Sequence, residues 1–184
     1  DPLRVGDRVR RISRIGEVQV KHGRTGPLCF VAVHHDFETA RGPAVSERHD
    51  IVYRDAPTAM AASATGVPDL APADASESFD PTSLVLFRYS ALTFNGHRIH
   101  YDLPYATQVE NYPGLVVHGP LQATLLVRLA ARTLGRMPAE VSYRGVSPLF
   151  DGDRLVLEAR RSDEGLSLRA ANGAGATTME ASAR

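Results

Sequence analysis

The residues best suited to chemistry sit close together. Asn95, His97, His100 and Asp102 all fall in the run Ala91-Leu92-Thr93-Phe94-Asn95-Gly96-His97-Arg98-Ile99-His100-Tyr101-Asp102. An imidazole titrates near neutral pH, at ~6.5 when unperturbed, and so can take up and return a proton under working conditions. A carboxamide such as that of Asn95 can hold a water or a substrate oxygen without competing for that proton. Each of these residues alone could simply cap a polar loop. Grouped beside an apolar helix, they point to acid/base catalysis.

A second segment follows: Tyr112-Pro113-Gly114-Leu115-Val116-Val117-His118-Gly119-Pro120. An apolar run ends in His118-Gly119-Pro120 and opens directly into a helix. The first amides of a helix have no intrahelical acceptor and lie at the positive end of its dipole. Pro120 has no N–H, so the free donor is Gly119, or Leu121 beyond it. Gly119 also lets a ligand approach the backbone closely. Such donors can polarise a carbonyl and stabilise the enolate it becomes.

Other elements must position these segments. The spacing predicts a helix over 120–134, with Pro120 at its first turn and Gly135 at its end. Apolar side chains cover most of its circumference, and only Thr124, Arg128 and Arg132 form a polar stripe, so it should be buried against a sheet. Strands are expected over 7–21, 28–34 and 45–54, forming a meander, and over 83–89, 140–145, 154–161 and 165–171. Residues 103–109 read as a short helix or turn. The stretch 55–80 holds five acidic residues and no Arg or Lys, and is rich in Ala, Pro and Ser; it reads as a linker, with a short helix near 58–64 as the alternative. One helix held by an antiparallel sheet is an α+β layout.

Composition narrows the classes further. The chain has 184 residues, long enough for one sizeable domain or two small ones. Its 21 Lys+Arg balance 21 Asp+Glu, so there is no general basic surface for nucleic acid. No apolar run approaches the ~20 residues needed to span a bilayer. The single cysteine, Cys29, rules out an intrachain disulfide framework and a Cys-based zinc site. A reducing, soluble compartment is therefore expected: the cytoplasm, or the mitochondrion in a eukaryote. Lys21 is the sole lysine, and Arg takes its place at every other basic position, a bias of base composition more than of chemistry.

A short internal repeat links the two ends of the chain. Pro2-Leu3-Arg4-Val5-Gly6-Asp7-Arg8-Val9 resembles Pro148-Leu149-Phe150-Asp151-Gly152-Asp153-Arg154-Leu155. Each copy leads into a charged, alternating strand, a Gly-containing turn and another strand. Two similar folding units are expected, the first (1–54) lacking its own loop and helix. Since the chain starts at Asp1 with no Met, those parts are expected upstream.

The two site motifs are similar to those of the MaoC-like hot-dog hydratases and dehydratases. They most resemble the double-hot-dog branch of mesaconyl-C4-CoA and itaconyl-CoA hydratases and mitochondrial hydroxyacyl-thioester dehydratases. Lys21-His22-Gly23-Arg24-Thr25-Gly26-Pro27-Leu28 and Glu47-Arg48-His49-Asp50-Ile51-Val52-Tyr53-Arg54 resemble the tail of that branch's N-terminal unit. The resemblance implies a hot-dog fold, an antiparallel sheet curved around a central helix, in a double hot dog whose first unit is incomplete; the site would lie in 81–184. It implies hydration of an enoyl thioester, or the reverse dehydration, with the acyl-CoA as substrate and no metal or redox cofactor. The family loop usually reads Asp-x-Asn-Pro-x-His. Aligned here, His100 matches its His, while Asn95 stands where the Asp would. The implied catalytic residues are then His100, Asn95 and Gly119, with His100 as the main acid/base, Asn95 holding water and Asp102 a possible replacement carboxylate. His97, Arg98, Asp102, His118, Tyr105 and Arg88 are the implied substrate contacts, the arginines for phosphate or a substrate carboxylate. The implied partner is a second hot-dog unit, in a homodimer or a pseudo-dimer.

Three other readings compete. Thioester hydrolysis on the same fold usually needs an acidic residue near the central helix, and none occurs from 120 to 139. A metal-binding protein could use His97, His100, Asp102 and His118 as a two-His-one-carboxylate set. A degenerate, non-catalytic hot dog could serve dimerisation alone.

Overall fold

A computed structural model describes residues 1–23, 26–54 and 66–184. The chain divides into two compact units, Asp1–Ala59 and Met60–Arg184.

The first unit is an antiparallel meander of β1 (Arg10–Gly23), β2 (Gly26–Thr39) and β3 (Gly42–Arg54), in the order β1-β2-β3. The strands fall where alternation placed them, though β2 is longer than expected. Register puts Val18, Val31 and Ile51 abreast, and likewise Val20, Cys29 and Tyr53. Side chains alternate across a strand, so these rows share one largely apolar face, while rows such as Arg14, His34 and Arg48 share the other. Arg41, in the turn between β2 and β3, grips Asp7 through two bonds of 2.6 Å, and the Arg4 N–H donates to the same carboxylate. Those donors hold the Asp7 carboxyl down at about 2. No helix occurs among the described residues of this unit.

The second unit contains β4 (Ala75–Phe79), α1 (Ser83–Thr93), a 3₁₀ turn at Arg98–His100, α2 (Leu103–Gln108), α3 (Gly119–Leu134) and β5 to β8 (Val141–Gly145, Leu155–Ser162, Gly165–Ala171, Thr177–Ala183). Its antiparallel sheet has the order β4-β6-β7-β8-β5. Leu155, Leu157 and Ala159 of β6 alternate inward, as do Leu166, Leu168 and Ala170 of β7. They pack with Leu125, Leu126 and Leu129 of α3 in one apolar core. The polar stripe of α3 also has a job. Arg128 and Arg132 both bind the carboxylate of Glu77, at 2.8 and 2.6 Å, and so tie the edge strand β4 to the helix. Buried Gln122 accepts a hydrogen bond from buried Thr178 at 2.7 Å, which satisfies both side chains in the core.

Several expectations are corrected. The segment 83–89 is not a strand; it begins helix α1. Thr82 caps the helix by accepting the Val85 N–H, and its buried side chains are Leu86 and Ser90, one turn apart. The linker expected over 55–80 contains strand β4. Ala75, Glu77 and Phe79 turn partly inward while Ser76 and Ser78 stay exposed, a pattern a polar edge strand can carry. The short helix considered near 58–64 lies outside the described residues, as does part of the turn at 22–27. Strand β8 was not anticipated, because Thr177-Thr178-Met179-Glu180-Ala181-Ser182-Ala183 has little apolar mass.

The internal repeat is visible in the backbone. Gly6 and Gly152 have φ of 91° and 88°, in turns closed by Asp7 N–H to Arg4 O and by Asp153 N–H to Phe150 O. Such φ values favour glycine. Each turn precedes three consecutive antiparallel strands, β1-β2-β3 and β6-β7-β8.

Candidate active site

The two motifs meet through Val116. Residues 115–117 run antiparallel to 149–151: Val117 N–H donates to Leu149 O, Asp151 N–H donates to Leu115 O, and Val116 bridges Phe150. The Asp151 carboxylate also accepts the Leu115 N–H at 2.8 Å. A Cβ on residue 114 would come within 2.8 Å of it, so a larger residue there would push this carboxylate off the Leu115 N–H. On its other side Val116 holds the histidine turn. Its N–H donates to Ile99 O, and its carbonyl accepts from His100 Nδ1 at 2.7 Å.

That last bond fixes the state of His100. A carbonyl oxygen can only accept, so Nδ1 carries the proton and Nε2 is left with the lone pair whenever the ring is neutral. His100 is 8% exposed. Burial pushes its pKa below the usual histidine value, opposed by the Val116 carbonyl and aided by His97. The result is a neutral imidazole whose basic nitrogen has no hydrogen-bond partner among the described residues, the state a general base needs.

His118 lies directly against it. The two rings stack at 3.7 Å between centroids and 18° between planes. His118 is 0% exposed, its Nε2 is 2.9 Å from Ser90 Oγ, and its Nδ1 has no hydrogen-bond partner among the described residues. Burial, and secondarily the nearby His100, push its pKa down to about 4. His118 is the residue before α3, so the ring it supports lies at the helix start, where Gly119 is the first residue. The first bonds of α3 run from Leu121 and Gln122 N–H to His118 O, leaving the Gly119 N–H as one of the amides without an intrahelical acceptor. A Cβ at 119 would meet only Met179 Cε, at 3.9 Å, so the fold does not need glycine there.

The other sequence-derived candidates divide. Asn95 is half-buried, and its Oδ1 accepts the His97 N–H at 3.1 Å; His97 in turn sits edge-on to His100 at 5.7 Å. Asn95 thus shapes the turn that leads into His97 through a local side-chain to backbone bond. Asp102 does not supply a free carboxylate. It pairs with Arg98 at 2.7 Å and caps α2 through the Tyr105 N–H, and these partners hold its carboxyl below the usual range. Arg98 lies over the Tyr105 ring at 4.1 Å, and the Tyr105 hydroxyl donates to Glu110. These three residues brace one another. Arg88 is exposed on α1 and forms no ion pair among the described residues. His118, 0% exposed, lies against His100 and presents no surface to a substrate. Among the described residues no group of three or more His, Cys, Asp and Glu side chains is arranged to hold a metal ion, so the proposed two-His-one-carboxylate set does not converge.

Residues 1–151, spanning both units and both site motifs, match the family model of hydroxyacyl-thioester dehydratase type 2. The chain belongs to that family. Mesaconyl-C(4)-CoA hydratase of Chloroflexus aurantiacus is 44% identical to it over 182 residues, 98% of this chain and 64% of that protein. The chain thus spans somewhat less than two thirds of that relative's length. Among solved structures, HtdX from Mycobacterium tuberculosis superposes with a TM-score of 0.63 at 21% identity, over 96% of this chain and 67% of that one. A MaoC-like dehydratase from Phytophthora capsici superposes with a TM-score of 0.68 at 14% identity, over 96% and 64%. The fold is the MaoC-like hot dog.

Within this dehydratase family chain, Ser90, the Val116 carbonyl and Asp151 are the site-building groups that sequence reasoning missed. Ser90 could have been found. Once 83–93 is a helix, Ser90 falls on the same face as Leu86, a lone hydroxyl on a buried stripe. A backbone carbonyl such as that of Val116 leaves no mark on residue type.

Proposed function

We propose that the chain carries the active site of an enoyl-thioester hydratase, also able to run as a 3-hydroxyacyl-thioester dehydratase. Its substrate would be an acyl-CoA, with a C5 dicarboxyl-CoA such as mesaconyl-C4-CoA or itaconyl-CoA the favoured class. One observation carries the reading: the base-competent ring of His100 is stacked on the residue that immediately precedes Gly119. The proton acceptor and an unsatisfied amide are thereby gathered at the same end of α3.

The chemistry balances without an added cofactor. The thioester oxygen accepts the Gly119 N–H, which withdraws charge from the conjugated double bond. His100 Nε2 takes a proton from water as its oxygen bonds to the β-carbon. Electrons shift to the thioester oxygen as an enolate, and the imidazolium returns its proton to the α-carbon. Asn95 holds the water. The 44% identity to a mesaconyl-C(4)-CoA hydratase supports the acyl class. A second hot-dog unit, from the same polypeptide or another copy, is the proposed structural partner.

The test is loss of enoyl-thioester absorbance with mesaconyl-C4-CoA, itaconyl-CoA and crotonyl-CoA in turn. Hydration of at least one, abolished in His100→Ala, is expected. No hydration of any of the three by folded protein would refute the reading.

A further inference from the structure

We infer that Ser90 and His118 form a positioning device for His100: the His118 ring is the plate on which the His100 ring rests, and the Ser90 hydroxyl anchors that plate. This rests on the hydratase reading for its kinetic consequences and on geometry alone for its structural ones.

Three contacts define the device. The rings are nearly parallel at 3.7 Å, so His118 fixes the tilt of the His100 plane. The 2.9 Å contact between Ser90 Oγ and His118 Nε2 fixes the rotation of the plate, and the Tyr89 ring packs against it in a T-shaped contact at 4.8 Å and 63°. Ser90 also accepts the Asn95 N–H on its own carbonyl, at 2.9 Å. One residue near the end of α1 therefore sets both the plate and the loop that carries Asn95. His100 needs such support because, among the described residues, the ring makes its only hydrogen bond through Nδ1. A ring held at one nitrogen can still swing about that bond, and the swing would carry Nε2 away from the reacting atoms. Misplacement by about 1 Å costs about a hundredfold in rate.

The device differs from a substrate contact in what its loss changes. His118→Ala is expected to lower kcat about 10- to 100-fold with KM little altered. His118→Phe, which restores a flat buried ring, is expected to recover most of that loss. Ser90→Ala, which removes only the anchor and leaves the packing, should move kcat in the same direction by a smaller factor. Imidazole nitrogen NMR reads the structural arm without any turnover. Wild type should show His100 as a single tautomer protonated at Nδ1. His118→Ala should keep that tautomer but broaden the His100 ring signals as the ring swings about the Val116 bond, and His118→Phe should restore sharp signals. Equally sharp His100 ring signals in every variant, or a rise in KM with kcat intact, would overturn the inference. Lack of activity in wild type would sink the hydratase reading while leaving the NMR result to decide this one.

Discussion

Acid should unfold this protein through His118 before its carboxylates begin to titrate. The side chain is 0% exposed and its pKa falls from 6.5 to about 4, chiefly through burial and secondarily through His100. The unfolded chain therefore takes up this proton first as the pH drops. Stability is complete above the unfolded value and declines as the pH falls from there toward the folded value. The full loss is roughly 3 kcal/mol, and about 2 kcal/mol of it has gone by about pH 5. His100, lowered in the same direction, adds to the decline. Asp7, Asp36, Asp102 and Glu158 are all held below their usual values, so they stay ionised in both states above about pH 5 and add little there. Urea unfolding at about pH 7.5 and about pH 5 measures the slope. Repeating it in His118→Gln, which cannot titrate, isolates the one ring. Wild type should lose roughly 2 kcal/mol more than the variant over that interval. Equal losses in the two proteins would show that His118 is not buried as a neutral imidazole.

Three further outcomes are expected. His100→Ala should cut hydration by at least about a hundredfold with the melting temperature nearly unchanged, and Asn95→Ala should cost less; Asn95→Asp should retain activity, and near-normal rates in His100→Ala would remove that ring from the mechanism. Gly119→Ala should fold as well as wild type, because its Cβ meets only Met179 at 3.9 Å, yet lose about 10- to 100-fold in kcat/KM by crowding the carbonyl's approach; unchanged kinetics would release Gly119 from its role. Gly114→Ala should do the opposite, costing about 1–3 kcal/mol in stability as its Cβ displaces the Asp151 carboxylate from the Leu115 N–H, which a denaturant titration would read.

The sequence carried the fold where periodicity was strong. The meander β1-β2-β3, the core strands β6 and β7 and the apolar helix α3 all declared themselves by spacing. It misled where apolar content and secondary structure part company. Leu84-Val85-Leu86-Phe87 looks like a strand by residue type, but Thr82 supplies a cap and the buried positions are four apart. Strand β8 was invisible for the opposite reason: a strand lying between two others in the sheet, with α3 on its inner face, needs only small side chains, and Ala and Thr do not announce one. The site was legible as a set of types and only partly as a set of roles. His97, Arg98, Asp102 and Tyr105 all lie within five residues of His100, and proximity in sequence made them all candidates. Three dimensions separate them, because Arg98, Asp102 and Tyr105 satisfy one another.

That separation decides how protons can move. With the Asp102 carboxylate held ionised by Arg98 and by the Tyr105 N–H, and with an amide at 95, neither position offers a free carboxylate to exchange a proton with the substrate. In the proposed hydration His100 serves both carbons of the double bond, taking a proton from water and giving it back at the α-carbon. A lone base of that kind has to stay neutral between turnovers and must hold its proton weakly once it has it. Burial meets both needs by lowering the His100 pKa, and the Val116 carbonyl keeps the working lone pair on Nε2. In that proposed mechanism an amide at 95 suffices, because every proton transfer runs through His100 and none is assigned to residue 95.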